Sequence, residues 1–228
     1  PKIHIVDISH AYKRKRMNGH FSEALLMAIQ GTLERGEQVL LFQNRRGFAP
    51  QQECQSCGHV PHCKHCDVSL TYHKSTHRLK CHYCGYAEKT STNCKACNYH
   101  DVKLKGFGTE KIEDELQGFF PEQVIRRMDL DTTRKKYSYE NILNAFEDQE
   151  IDILVGTQMI SKGLDFSHVG LVGVLSADQM LNFPDFRAFE RAFQMLCQVS
   201  GRAGRKKSES QVVIQSFEPN HEILKLVK

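Results

Sequence analysis

Apolar positions along the chain fall into two periods. Phe21, Leu25, Leu26, Ile29 and Leu33 recur at helical spacing until Gly36, and Val39-Leu40-Leu41-Phe42 follows without a polar break. The first pattern predicts an amphipathic helix stopped by glycine, the second a strand buried on both faces. The alternation then resumes after a long interruption. Val102 to Leu104 reads as a strand, and Gly106-Phe107-Gly108 as a tight turn in preference to a phosphate cradle. A helix follows with Ile112, Leu116 and Phe119 on one face. Val124-Ile125, Ile151 to Val155, Leu171 to Leu175 and Gln211 to Phe217 read as further strands. Ile142, Leu143 and Phe146 mark one helix face, and a long helix runs from about Phe186 to Val199. Strands alternating with helices make βαβ units, so the expected fold is α/β around a parallel sheet.

The interruption is where the cysteines sit. Eight of the nine lie between Cys54 and Cys97 as four C-x2-C pairs. The expected organisation is one α/β lobe built from residues 1–53 and 98–228, with 54–97 as an inserted module. Knuckles of this spacing let two sulfurs reach one tetrahedral ion, so four knuckles predict two structural four-thiolate zinc sites. Such sites leave no position open for water. A thioredoxin-like redox centre is disfavoured by the presence of four knuckles, and a disulfide framework by the Cys-free flanks that already supply a core. Sequential, interleaved and nested pairings are all possible. Nested pairing puts Cys63, Cys66, Cys81 and Cys84 on one ion and Cys54, Cys57, Cys94 and Cys97 on the other. It is favoured because an insertion into a sheet domain needs its ends close together. His59, His62, His65, His73, His77, His82 and His100 read as surface or supporting groups, and Cys197 as an inert buried thiol.

Charge adds little once metal is counted. The 228 residues hold 31 Lys+Arg against 27 Asp+Glu, a net charge of +4. Eight thiolates and two divalent ions cancel that excess, so a nucleic-acid reading has to rest on local motifs. Lys13-Arg14-Lys15-Arg16 reads as a solvated stretch, and Phe48, Tyr72, Tyr83 and Tyr86 as the filling of a small zinc module rather than a base-stacking surface. No apolar run approaches the ~18 residues of a membrane span. There is no signal-peptide pattern and no initiator Met, so the chain is expected to be cytoplasmic and a piece of something longer.

Three motifs carry chemistry. Gln198-Val199-Ser200-Gly201-Arg202-Ala203-Gly204-Arg205 places two guanidinium forks at a helix end, a pair suited to a phosphate. Gly156-Thr157-Gln158-Met159-Ile160-Ser161-Lys162-Gly163-Leu164-Asp165-Phe166 and Phe42-Gln43-Asn44-Arg45-Arg46-Gly47-Phe48-Ala49-Pro50 each follow a strand. The three are expected on one rim of the sheet, at its ligand edge. Taken in order they look like motifs IV, V and VI of a superfamily 2 helicase. The eight-Cys insertion straight after NRRGFAP resembles one family in particular, primosomal protein N′ (PriA).

That resemblance implies a RecA-like second helicase lobe with a small two-zinc ribbon-like module inserted. It implies an enzyme, an ATP-dependent 3′-to-5′ DNA helicase using ATP and Mg²⁺ that acts at stalled forks to restart replication, with branched and single-stranded DNA and other primosome proteins as partners. By carry-over, Arg202 and Arg205 are arginine fingers on the γ-phosphate, with Gln198 beside them. Gly163 and Asp165 couple the nucleotide cleft to DNA, while Thr157, Lys162, Arg45 and Arg46 lie along the DNA backbone. No Gly is followed by Lys anywhere, so the chain has no P-loop. Asp114-Glu115 lacks a Mg²⁺-box context. The chain alone is therefore expected not to hydrolyse ATP, and Arg202 and Arg205 are expected to be solvent-accessible. The alternative is a non-catalytic zinc-ribbon module that binds protein or nucleic acid.

Overall fold

The computed structural model describes residues 1–43, 51–66, 68–73, 76–81, 83–100, 102–105, 109–129, 132–133, 137–157, 166–203 and 210–228. In chain order the elements are β1 (Lys2–Asp7), α1 (Ile8–Lys13), β2 (Met17–Asn18), β3 (Phe21–Ser22), α2 (Glu23–Glu34), β4 (Gln38–Phe42) and β5 (Gln51–Cys54). Next come β6 (Thr71–His73), β7 (Arg78–Lys80), β8 (Ala87–Lys89), β9 (Val102–Lys105), α3 (Thr109–Phe119), β10 (Ile125–Met128) and α4 (Ser138–Glu147). The chain ends with β11 (Ile153–Gly156), β12 (Val169–Val174), α5 (Asp178–Leu181), α6 (Ala188–Ser200), β13 (Gln211–Ser216) and α7 (Glu222–Val227).

Six strands form one parallel sheet in the order β1-β13-β12-β4-β11-β10. The central strands are buried along their whole length, as their unbroken apolar runs require when helices cover both faces. Alternate side chains feed two cores. On one face Leu40, Leu154, Val172 and Val212 pack with Phe146 of α4, Leu196 of α6 and Leu224 of α7. On the other, Val39, Leu41, Ile153 and Leu171 pack with Leu25 of α2 and Ile112 of α3. Among the described residues, neither core draws on any from 43 to 111.

Several boundaries differ from the sequence reading for local reasons. Phe21 and Ser22 belong to the β2–β3 hairpin, and the Ser22 hydroxyl caps α2 by accepting from the Leu25 N–H at 3.2 Å. Phe119 is 42% exposed, off the buried face of α3, and meets Phe21 edge-on at 6.0 Å. Val124 is exposed and β10 begins at Ile125. The edge strand β1 and the short helices α1, α5 and α7 carry too few periodic positions to announce themselves in the sequence. No helix among the described residues is long and apolar enough to cross a membrane.

The Cys-rich segment stands apart from this sheet. β5 and β9 pair antiparallel, Gln51 opposite Lys105 and Cys54 opposite Val102, and form a stalk. Beyond it, β6, β7 and β8 make a three-stranded antiparallel sheet over a small core of Val68, Leu70 and Leu79 with Cys63 and Cys81.

Candidate metal centres and strand-end motifs

The knuckles share one backbone design. In three of them the first cysteine's N–H donates to the carbonyl five residues on, and its carbonyl accepts from the N–H four residues on. The pairs are Cys54 with His59 and Gly58, Cys81 with Tyr86 and Gly85, and Cys94 with Tyr99 and Asn98. Closing so tight a loop needs a left-handed residue at the fourth place. Gly58 (φ +74°), Gly85 (φ +73°) and Asn98 (φ +58°) supply it, and these are the residue types that tolerate that region. In the remaining knuckle Cys63 N–H donates to Val68 at 2.8 Å.

This folding brings the sulfurs together in two sets, Cys54, Cys57, Cys94 and Cys97 in one and Cys63, Cys66, Cys81 and Cys84 in the other, all Sγ atoms of a set within 4.8 Å of each other. The grouping is the nested one. The Cys54–Cys97 and Cys57–Cys94 separations are 3.6 Å and Cys63–Cys84 is 3.5 Å. These are too long for disulfides and close to the ~3.8 Å edge of a tetrahedron with Zn–S bonds of about 2.3 Å. No histidine among the described residues joins either set. Instead His77 bonds the Tyr72 hydroxyl at 2.7 Å, His100 bonds Asn93 at 2.8 Å, and the His65 ring lies edge-on to Tyr86.

The thiols of each set compete for protons. Burial pushes Cys54, Cys57 and Cys63 up, and a hydrogen bond shared with Cys84 takes Cys66 up to about 12. Burial also pushes Cys81 up, but donors from the Cys84 and Tyr83 backbone and the neighbouring thiols outweigh it and hold Cys81 down to about 7. The Tyr99 N–H is the main donor that, with the other thiols, holds Cys97 down to about 7. A divalent ion bound to either set would take the place of those shared protons, and all-sulfur donor sets fit zinc.

The outer set sits where the module meets the sheet. A Cβ on Gly58 would lie 2.3 Å from the Phe217 ring, so the first knuckle is pressed onto the residue that follows β13. The Phe217 N–H in turn donates to both Asp178 carboxylate oxygens, at 3.1 and 3.0 Å, and the Ser216 hydroxyl donates to Asp178 at 2.9 Å. Burial pushes the Asp178 carboxyl up against these donors. Gln51 Nε2 adds a bond to the Asn182 carbonyl at 2.6 Å. Asp178, Phe217 and Gly58 went unnoticed in the sequence. The signals were an acid four residues past the apolar β12 run and a glycine four residues past Cys54.

The strand-end motifs are less united than expected. Gln43 and Thr157 each stand one residue beyond the carboxyl ends of the adjacent strands β4 and β11, and the Gln43 N–H donates to Gly156 at 2.9 Å. Gln43 is buried and its Nε2 donates to Gln179 at 2.9 Å. QVSGRAGR, by contrast, begins in the last turn of α6 and precedes β13. A parallel crossover must return the chain to the amino edge before the next strand starts, so this motif does not share the rim of the other two. Gln198 is exposed on α6. Arg202 is half-buried with its Nε shielded, less open than a freely solvated side chain but still partly accessible to solvent. Cys197, expected to be buried, is exposed, because the inward face of α6 is Ala188, Ala192, Leu196 and Val199. Arg45, Arg46, Lys162, Gly163, Asp165 and Arg205 lie outside the described residues.

Comparison with known proteins gives two family matches. The PriA DNA helicase Cys-rich region (CRR) domain matches residues 63–89, which span the inner cysteine set, and the helicase conserved C-terminal domain matches residues 107–207. The replication restart protein PriA of Bacillus subtilis (strain 168) is 46% identical over 231 residues, covering 100% of this chain and 28% of that protein. The PriA of Synechocystis sp. is 43% identical over 232 residues, covering 100% of this chain and 28% of its own length. That of Rickettsia conorii is 42% identical over 229 residues, covering 100% of this chain and 35% of its own. The chain thus spans about a third of the length of the curated relatives it matches.

Proposed function

The chain belongs to the PriA family over the segment it spans, and from that premise we propose that it is the second motor lobe of an ATP-dependent 3′-to-5′ DNA helicase acting at stalled replication forks. The observation that carries this reading is the order of the parts: a helicase C-terminal match begins at residue 107, shortly after a four-knuckle insertion, with 46% identity across the whole chain.

In this reading two Zn²⁺ ions are structural, each closed off by four thiolates. The outer ion joins the entry and exit of the inserted module and so fixes it against the end of β13. Bound ATP and Mg²⁺ supply the chemical energy, on a P-loop that this chain does not contain. The chain's own contribution is charge placed at the transition state. Arg202 and Arg205 stabilise the negative charge that develops on the transferred phosphoryl group, with Gln198 beside them in the same motif. Gly163 and Asp165 relay the nucleotide state to Thr157, Lys162, Arg45 and Arg46 along the DNA backbone. The protein works in the cytoplasm, on forked and single-stranded DNA and with other primosome proteins.

The test uses a full-length family member carrying this segment. It should unwind a fork with a 3′ single-stranded tail in the presence of ATP and Mg²⁺, while the 228-residue chain alone hydrolyses no ATP, with or without DNA. ATP turnover by the isolated chain would overturn the assignment of a lobe that only completes the site.

A further inference from the structure

A groove of about 520 Å³ lies between the end of α1 and the outer cysteine set, lined by Tyr12, Lys13, Lys15, Met17, Ser56 and Tyr99. Its two walls are built by unrelated devices. On one side α1 ends in a reversal, with the Arg16 N–H donating to Ala11 at 2.8 Å and the Lys15 N–H to Tyr12 at 3.0 Å. This reversal places a left-handed residue just past the helix, the position glycine usually fills. Here Lys15 holds it at φ +56°. A non-glycine residue there is disfavoured, and the strained turn brings Lys15 to the same groove as Lys13 and Tyr12.

The opposite wall belongs to the metal centre. Ser56 sits inside the knuckle Cys54–Cys57, and Tyr99 follows the knuckle Cys94–Cys97, its carbonyl accepting from the Cys94 N–H at 2.8 Å. Both knuckles close on the same four-sulfur set, so an ion bound there would hold the wall in place.

The groove's functional groups are unspent. Tyr12 is 39% and Tyr99 45% exposed. Among the described residues neither ring meets another aromatic ring and neither hydroxyl has a hydrogen-bond partner. Lys13, Arg14 and Lys15 are exposed and have no ion-pair partner among the described residues, and Arg16 has only a 3.7 Å approach to Glu23. Free cations beside open aromatic faces are the combination that binds single strands, the cations along the phosphates and the rings under the bases. The groove also lies beyond the carboxyl end of β1, a strand three spacings, about 14 Å, from β4.

We propose that this groove binds single-stranded DNA, with Lys13 and Lys15 on consecutive phosphates and Tyr12 and Tyr99 stacked on bases. The choice of DNA over other polyanions rests on the motor reading above; the groove and its chemistry do not. The test is fluorescence anisotropy of a fluorescein-labelled ten-nucleotide oligothymidylate with the zinc-loaded chain. Tyr99→Ala should weaken binding about tenfold by removing one stacking platform, with Tyr99→Phe binding as the parent does. Lys13→Gln with Lys15→Gln should reduce the slope of log K against log salt by about 1.4, at about 0.7 per phosphate on a single strand. Matching zinc content and thermal melts would show that the variants are folded. Unchanged affinity in Tyr99→Ala overturns the proposal. So does displacement of the oligonucleotide by polyglutamate at equal charge, which would make the groove a site for acidic peptides. Absence of oligonucleotide binding by the parent chain overturns the groove alone, because the motor reading is judged by turnover in the full-length protein.

Discussion

Two glycines in equivalent places of two knuckles face different surroundings. Gly58 and Gly85 have nearly the same φ, yet a Cβ at Gly58 would strike Phe217, whereas at Gly85 it would meet nothing within 4 Å. Gly85→Ala should therefore cost only the backbone strain, about 1 kcal/mol. Gly58→Ala should add about 1–3 kcal/mol of overpacking and loosen the seat of the outer knuckle on the lobe. Thermal melts of the two variants check this, and equal destabilisation would mean that Phe217 yields freely. The sequence shows why a glycine belongs four residues after the first cysteine, since the loop geometry is local. It hides the Phe217 contact, which joins residues 159 positions apart and is made only by the tertiary fold. The same holds for Asp178, whose partners Ser216 and Phe217 arrive from β13. Cys197 illustrates the converse. A helical apolar stretch was legible, but which of its sides faces the core depends on β12, α5 and α7.

At the scale of elements, the nested grouping makes a prediction that no other pairing shares. Cys54→Ser combined with Cys94→Ser strikes one sulfur set twice, so elemental analysis should still find one zinc per chain. Sequential or interleaved pairing would put those two cysteines on different ions and cost both. Cys54→Ser combined with Cys63→Ser should lose both ions under nested pairing. The lobe should also tolerate loss of the module. Among the described residues its two cores contain none from 43 to 111, so replacing 54–97 with a short Gly/Ser linker should leave a soluble domain with a cooperative melt. An insoluble product would mean that the Phe217 and Asn182 contacts are needed for the main fold. The long central strands and the helices α2, α3, α4 and α6 were legible, because unbroken runs and helical stripes survive any tertiary context. The stalk was only half-legible: Val102 to Leu104 read as a strand, but its partner Gln51–Cys54 is polar and carries no periodic signal.

For the whole molecule, the proposed role requires a site completed from elsewhere. The parallel sheet places Gln43 and Thr157 on one edge and Arg202 at the end of a returning helix, so this chain presents several separate faces rather than a closed catalytic pocket. That division was invisible in the motifs themselves; it follows from the crossover that returns α6 to the start of β13. The decisive measurement is DNA-stimulated ATP hydrolysis by a full-length family member in which Arg202 or Arg205 is changed to Ala, with ATP affinity measured in parallel. An arginine finger acts on charge that appears only in the transition state, so turnover should fall about 10³-fold while ATP affinity changes only a few-fold. Near-normal turnover in both variants, or a loss of ATP binding as large as the loss of turnover, would contradict the assignment of this chain as the lobe that supplies the fingers.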